Sequence, residues 1–241
     1  MKIFWCGSCR FLWAILLSFQ LVCTGWAAEP VYLNTPEGAQ RLDQSDLSRH
    51  YYQVAPYVDT QENMGFCGPA SMAAVLNSLP GLSRPATNQY QPYRYFTQSG
   101  LFDAETSQIK TYEAVARSGL TLSETSRFLS KIHISNKVYY GNELTVDSLR
   151  SLLITTLANP KARIIVDFGR RVFAQSGDGH YSPLVAYNAQ SDSVLIVDVA
   201  KFKYPPFWVT LPDLLKAIRT IDPDSKKSRG LVLVFEGQPG D

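Results

Sequence analysis

The stretch Gln61-Glu-Asn-Met-Gly-Phe-Cys67-Gly-Pro-Ala-Ser-Met72 decides how this 241-residue chain is read. It runs into residues 68–79, where Met72, Val75 and Leu76 recur at helical spacing until Pro80-Gly81 ends the pattern. A cysteine in the first turn of a helix sits beside unpaired backbone N–H groups and the positive end of the helix dipole. That setting favours the thiolate, the nucleophilic form of the side chain. Gly65 and Gly68 would let the backbone approach a substrate carbonyl closely. Gln61, upstream in the same stretch, offers a side-chain amide that with the Cys67 backbone N–H would make a two-donor oxyanion hole. The competing interpretation is a buried, inert cysteine packing as a small apolar residue.

A thiol nucleophile needs a base, and the chain has three histidines. His180 is preferred, because it follows the turn Gly177-Asp-Gly and opens a strand, which aims an imidazole into a cleft. His50 and His133 lack that setting. Asp198 ends the apolar run Val194-Leu-Ile-Val197, where a carboxylate is costly unless it has a partner. Orienting His180 would supply one, and a plain strand-end acid ahead of Lys201 and Lys203 is the alternative. Cysteine, histidine and acid in this chain order suggest a papain-type acyl-transfer site.

Residues 1–28 read as an export signal: Lys2 and Arg10 form the basic start, residues 11–22 an apolar run, and Gly25-Trp-Ala-Ala28 the small residues for cleavage. The competing possibility is a retained membrane anchor. The expected mature chain, 29–241, is a single catalytic domain in an extracytoplasmic, periplasmic location with no stable membrane association. Without Lys2 and Arg10 the 23 basic residues become 21, balanced by 21 acidic ones, so charge supports no nucleic-acid partner. Cys6, Cys9 and Cys23 leave with the signal, and Cys67 then has no partner for a disulfide or a cysteine metal cage.

Residues 29–60 are expected to be mostly irregular. Two helical patterns within 103–132 flank Ser118-Gly119, with Thr121 or Ser123 capping the second. A further helix spans 144–158 behind Thr145. Beyond it, 163–168, 181–187, 193–199, 208–209 and 230–235 read as strands, with a short helix over 211–218 that has Pro212 near its start. Helices first and sheet second predict an α+β fold, a helical half carrying the nucleophile packed on a mainly antiparallel sheet half.

Two blocks carry a resemblance to the phytochelatin synthases, a clan of papain-like cysteine peptidases acting on glutathione. One is Thr60-Gln61 through Phe66-Cys67-Gly68, Ala70-Ser71 and Val75-Leu76-Asn77. The other is Gly179-His180-Tyr-Ser-Pro183 through Asp198-Val-Ala-Lys-Phe-Lys-Tyr-Pro-Pro206 and Trp208-Val209. The resemblance implies a papain-like fold with Cys67 as nucleophile, His180 as acid/base, Asp198 as orienter and Gln61 as oxyanion donor. It implies cleavage of the Cys–Gly bond of glutathione through a γ-glutamylcysteinyl thioester. Water would resolve this to γ-glutamylcysteine, and a second glutathione to a phytochelatin. Asp222 and Arg229 are the expected charge clamp for the γ-glutamyl end. No tightly bound cofactor and no metal site are expected; cadmium or zinc enters as a metal–glutathione thiolate substrate. A homodimer is compatible with this reading. The chain resembles the short bacterial or cyanobacterial form, but Pro69 replaces a common leucine and Asp167 lies where relatives can carry asparagine. A general thiol peptidase of the same fold, or a non-catalytic metal-binding or redox protein, are the competing functions.

Overall fold

The computed structural model describes residues 1–2 and 29–237, so the expected export signal lies, from residue 3 onward, outside the described residues. The helices are α1 Pro36–Asp43, α2 Arg49–Val54, α3 Cys67–Asn77, α4 Tyr112–Ser118, α5 Leu122–Lys131, α6 Val146–Ala158 and α7 Leu211–Ile218. The strands are β1 Val31–Tyr32, β2 Ser135–Tyr140, β3 Ala162–Gly169, β4 Gly179–Asn188, β5 Ser193–Ile196, β6 Phe207–Thr210 and β7 Gly230–Phe235. All seven strands join one antiparallel sheet in the order β1-β6-β5-β4-β3-β7-β2. The architecture is α+β, as the order of periodicities predicts.

The central strand β3 is buried along its whole length, which is why its sequence is an apolar run rather than an alternation. Its side chains still alternate between faces. Ile164, Val166 and Phe168 join the core formed with Leu149, Leu153 and Leu214 of α6 and α7. Ile165 joins the opposite core, beside Met72 and Val75 of α3 and Phe128 of α5. By the same alternation Asp167 belongs to the α3 face. Every residue of α3 is buried, so the helix lies inside the molecule and its apolar residues extend beyond the predicted Met72-Val75-Leu76 stripe.

Local chemistry explains where the elements begin. Thr121 accepts from the Glu124 N–H while Glu124 reaches back to the Thr121 N–H, a reciprocal cap for α5. Thr145 caps α6 through the Ser148 N–H.

The expectation of an irregular 29–60 is corrected. Thr35 caps α1 with Pro36 at its first position, and α2 buries His50 and Val54. Both helices are short, so little apolar periodicity accumulates in the sequence. The edge strand β2 also went unpredicted, because Ser135-Asn-Lys137 carries the polar composition that protects an edge. The first of the two expected helices begins only at Tyr112, after a 3₁₀ turn at Thr106–Gln108.

Candidate active site

Cys67 occupies the first position of α3, whose N-terminus has no side-chain cap. It is the one free cysteine among the described residues, and it is buried. Its thiol faces the backbone N–H groups of Tyr181 and Gly68, but loss of hydration outweighs them and pushes the thiol up to about 11. Burial thus opposes the thiolate that helix position favours. The neighbouring glycines also have a packing role. A Cβ on Gly65 would collide with the Val115 and Ala116 carbonyls, and one on Gly68 would stand 3.2 Å from Leu120 Cδ1. Both glycines let the cysteine segment pack against α4 and the loop after it.

His180 sits one residue into β4, packed edge-on against Phe168 with ring centroids 5.6 Å apart. Its Nε2 meets Asp198 Oδ1 at 2.8 Å. A carboxylate accepts, so Nε2 carries the proton and Nδ1 keeps the lone pair of a base. Burial holds the imidazole below its usual value against the opposing pull of Asp198, so the ring rests neutral. Asp198 lies just beyond β5, which ends at Ile196. Burial alone would lift its carboxyl. The His180 hydrogen bond and charge, Arg170 and the Ala200 N–H together hold it below the usual carboxylate range.

Arg170 is the member of this network that the sequence concealed. Its guanidinium lies 2.8 Å from Asp198, donates to Gln175 Oε1 at 2.6 Å, and stacks 5.1 Å from the Tyr204 ring centre and 5.7 Å from that of Phe168. Nothing in Gly169-Arg170-Arg171 distinguishes one arginine from the other; the turn after β3 does so by burying Arg170 and exposing Arg171.

Two neighbouring pockets form the site, with Met64, Asp178 and Gly179 lining both. One part, of about 260 Å³, contains Cys67, Tyr181 and Arg229. The other, of about 180 Å³, contains Gln61, Arg170 and His180. Cys67, His180, Gln61 and Arg229 thus come together from distant segments. Gln61 is buried and uses one Nε2 hydrogen on the Asn63 carbonyl at 2.7 Å, which leaves the second.

Asp222 and Arg229, the expected charge clamp, are each engaged within the protein. Asp222 accepts from the backbone N–H groups of Asp224 and Ser225 and closes its own turn. Arg229 instead forms a buried ion pair with Asp167, Nη1 to Oδ1 at 3.1 Å. Burial pushes the Asp167 carboxyl up to about 7, with Arg229 opposing. A lone acid in the middle of an apolar strand was the signal for this residue. Among the described residues no group of three or more His, Cys, Asp or Glu is placed to hold a metal ion.

Comparison with known proteins bears on this geometry. Glutathione gamma-glutamylcysteinyltransferase 1 of Arabidopsis thaliana is 32% identical over 187 residues, covering 76% of this chain and 36% of that protein. Glutathione gamma-glutamylcysteinyltransferase 3 of Lotus japonicus is 31% identical over 204 residues, covering 83% of this chain and 41% of that protein. The Schizosaccharomyces pombe glutathione gamma-glutamylcysteinyltransferase is 29% identical over 198 residues, covering 80% and 45%. The chain thus spans less than half the length of these relatives. The phytochelatin synthase family model matches residues 26–231, which takes in Cys67, His180 and Asp198. With that match covering most of its length, the chain belongs to the phytochelatin synthase family.

Proposed function

We propose that this α+β fold is papain-like and that the chain transfers the γ-glutamylcysteinyl group of glutathione. The observation that carries the reading is His180, held by Asp198 at 2.8 Å in a pocket that neighbours the one lined by Cys67 at its helix start.

Burial raises the Cys67 thiol and lowers His180, which favours a neutral pair whose proton moves during attack. The Cys67 sulfur bonds to the carbonyl carbon between Cys and Gly as its proton passes to His180 Nδ1. Negative charge then develops on the carbonyl oxygen, where the Cys67 backbone N–H and the second Gln61 amide hydrogen are the donors. Collapse breaks the C–N bond, and the imidazolium gives its proton to the departing glycine amine. Asp198 stabilises the imidazolium without itself taking the proton. Water resolves the thioester to γ-glutamylcysteine, and a second glutathione gives a phytochelatin. Cadmium or zinc enters as a metal–glutathione thiolate, that is, as substrate. Arg229 receives the γ-glutamyl carboxylate, and Asp222 the γ-glutamyl amine. Residues 1–28 direct the chain out of the cytoplasm, which cell fractionation with N-terminal sequencing would test.

The experiment is mass spectrometry of glutathione incubated with the purified chain, with and without cadmium, with Cys67→Ala as control. Cys67-dependent γ-glutamylcysteine or phytochelatin supports the reading, with a loss of at least about 10³-fold in the variant. Unchanged glutathione from folded protein, together with cleavage of ordinary peptides, would move the assignment to a general thiol peptidase.

A further inference from the structure

The Asp167–Arg229 pair raises a question that the proposed chemistry leaves open. Asp167 stands in the middle of β3, between Tyr181 of β4 and Gly230 of β7, and is 1% exposed. It is too deep to touch a substrate. An ionised carboxylate there is expensive unless it is fully paired, and only Arg229 pairs with it. Its neighbours along the strand, Val166 and Phe168, are apolar. The acid therefore needs an explanation beyond packing.

Arg229 supplies one. Its guanidinium has five N–H donors in a rigid fork. Among the described residues it makes a single hydrogen bond, Nη1 to Asp167, and its buried Nε has no partner. The residue is 5% exposed and lines the part of the cleft that contains Cys67. Space for the fork is built in from β4. A Cβ on Gly179 would run into Nη1, Cζ and Nη2 of Arg229. A buried arginine tied at one corner, with the rest of its fork unsatisfied beside the cleft, is a receptor for a planar anion.

We infer that Asp167 is a positioning residue: by ion-pairing one corner of Arg229 from β3, it turns the remaining donors toward a carboxylate bound beside Cys67. This rests on the proposed function only in naming the γ-glutamyl carboxylate as that anion. Two effects of Asp167 oppose each other. Its charge weakens the positive potential of Arg229, whereas its hydrogen bond fixes the direction of the fork. Positioning requires that direction outweigh charge. The groups facing Asp167 are Arg229 and Asp222 from the β7 side, Tyr181 from β4 and Cys67 from α3.

The opposition makes the test decisive. Iodoacetate and iodoacetamide alkylate a thiol at the same carbon, and only the first is an anion. The rate ratio of the two at Cys67, normalised to that of a free small thiol, reads carboxylate recognition without reference to glutathione. The wild-type ratio is expected to be raised about tenfold, and Asp167→Asn to lose that gain, reaching the level of Arg229→Gln. The double variant should lose no more than either single one. With glutathione, Asp167→Asn should raise KM about tenfold with a smaller change in kcat. An unchanged or higher ratio in Asp167→Asn means that its charge matters and its positioning does not, which overturns the inference. Should Asp167→Asn fail to fold, Arg229→Lys keeps the charge and removes the fork. It must then lose the preference, and retention would overturn the inference equally. If the wild type leaves glutathione unchanged, the proposed function falls while the alkylation ratio still decides the role of Asp167.

Discussion

Two aspartate–arginine pairs are buried at this site, and they behave in opposite ways. Asp198 has Arg170 at 2.8 Å, His180 at 2.8 Å and the Ala200 N–H at 2.8 Å, and its carboxyl is held below the usual range. Asp167 has Arg229 at 3.1 Å, and its carboxyl is pushed up to about 7. Both acids are 1% exposed, so burial does not separate them. Their partners do. At Asp167 one arginine offsets only part of the loss of hydration and the Asp222 charge adds to the rise, whereas at Asp198 an arginine, an imidazole and a backbone N–H together more than offset it. The arginines mirror the acids. Arg170 is spent on Asp198, Gln175 and two aromatic rings, while most of the Arg229 fork remains free beside the cleft. One pair holds the His180 imidazole in place; the other leaves guanidinium donors unused.

The contrast breaks first at Asp198. Asp198→Asn keeps the shape but gives His180 a partner that can fix the wrong tautomer, and kcat should fall by about 10²–10⁴ in a glycine-release assay. Arg170→Met should leave Asp198 short of donors and lower stability by about 3–5 kcal/mol in urea unfolding. A cost under about 1 kcal/mol would show that His180 and Ala200 suffice alone.

The Asp167 pair is sharpened by pH. Its folded value, about 7, lies above the unfolded value of 3.8. Between those values the folded chain keeps a proton that the unfolded chain has released. The contribution of Asp167 is thus fully present below about pH 4, falls as pH rises, and is lost above about 7, by up to about 4 kcal/mol. His50, held down to about 4 by burial, acts in the opposite sense over much of that window. The stability difference between wild type and Asp167→Asn isolates the acid. That difference should shift against the wild type between pH 4 and 7 and stay flat above; a flat difference throughout would mean that the carboxyl is not raised. The smallest effect belongs to Gly179→Ala, whose methyl must displace the Arg229 guanidinium. It should cost about 1 kcal/mol in thermal unfolding and raise KM rather than lower kcat.

Much of this was legible in the chain because it is local. Thr121 with Glu124 and Thr145 with Ser148 mark helix starts by chemistry spanning one turn, and the apolar runs of β3, β4 and β7 mark a buried sheet. Cys67, His180 and Asp198 stood out because each breaks its surroundings: a thiol at a helix start, an imidazole after a turn, an acid after an apolar run. Helices α1 and α2 stayed hidden because they are short, and β2 because an edge strand is allowed to be polar.

The sequence by itself determined the α+β order of elements, the cysteine at the start of α3 and the chain order of cysteine, histidine and acid. Only the tertiary structure decided that Arg170 meets Asp198 and Arg229 meets Asp167. Which arginine reaches which acid depends on strand register and on where the turn after β3 lands, and no local pattern encodes either. The tertiary structure also decided that burial opposes ionisation of the Cys67 thiol. Helix position favours the thiolate and can be read from residues in one turn, but the hydration lost on burial is set by everything packed around the sulfur.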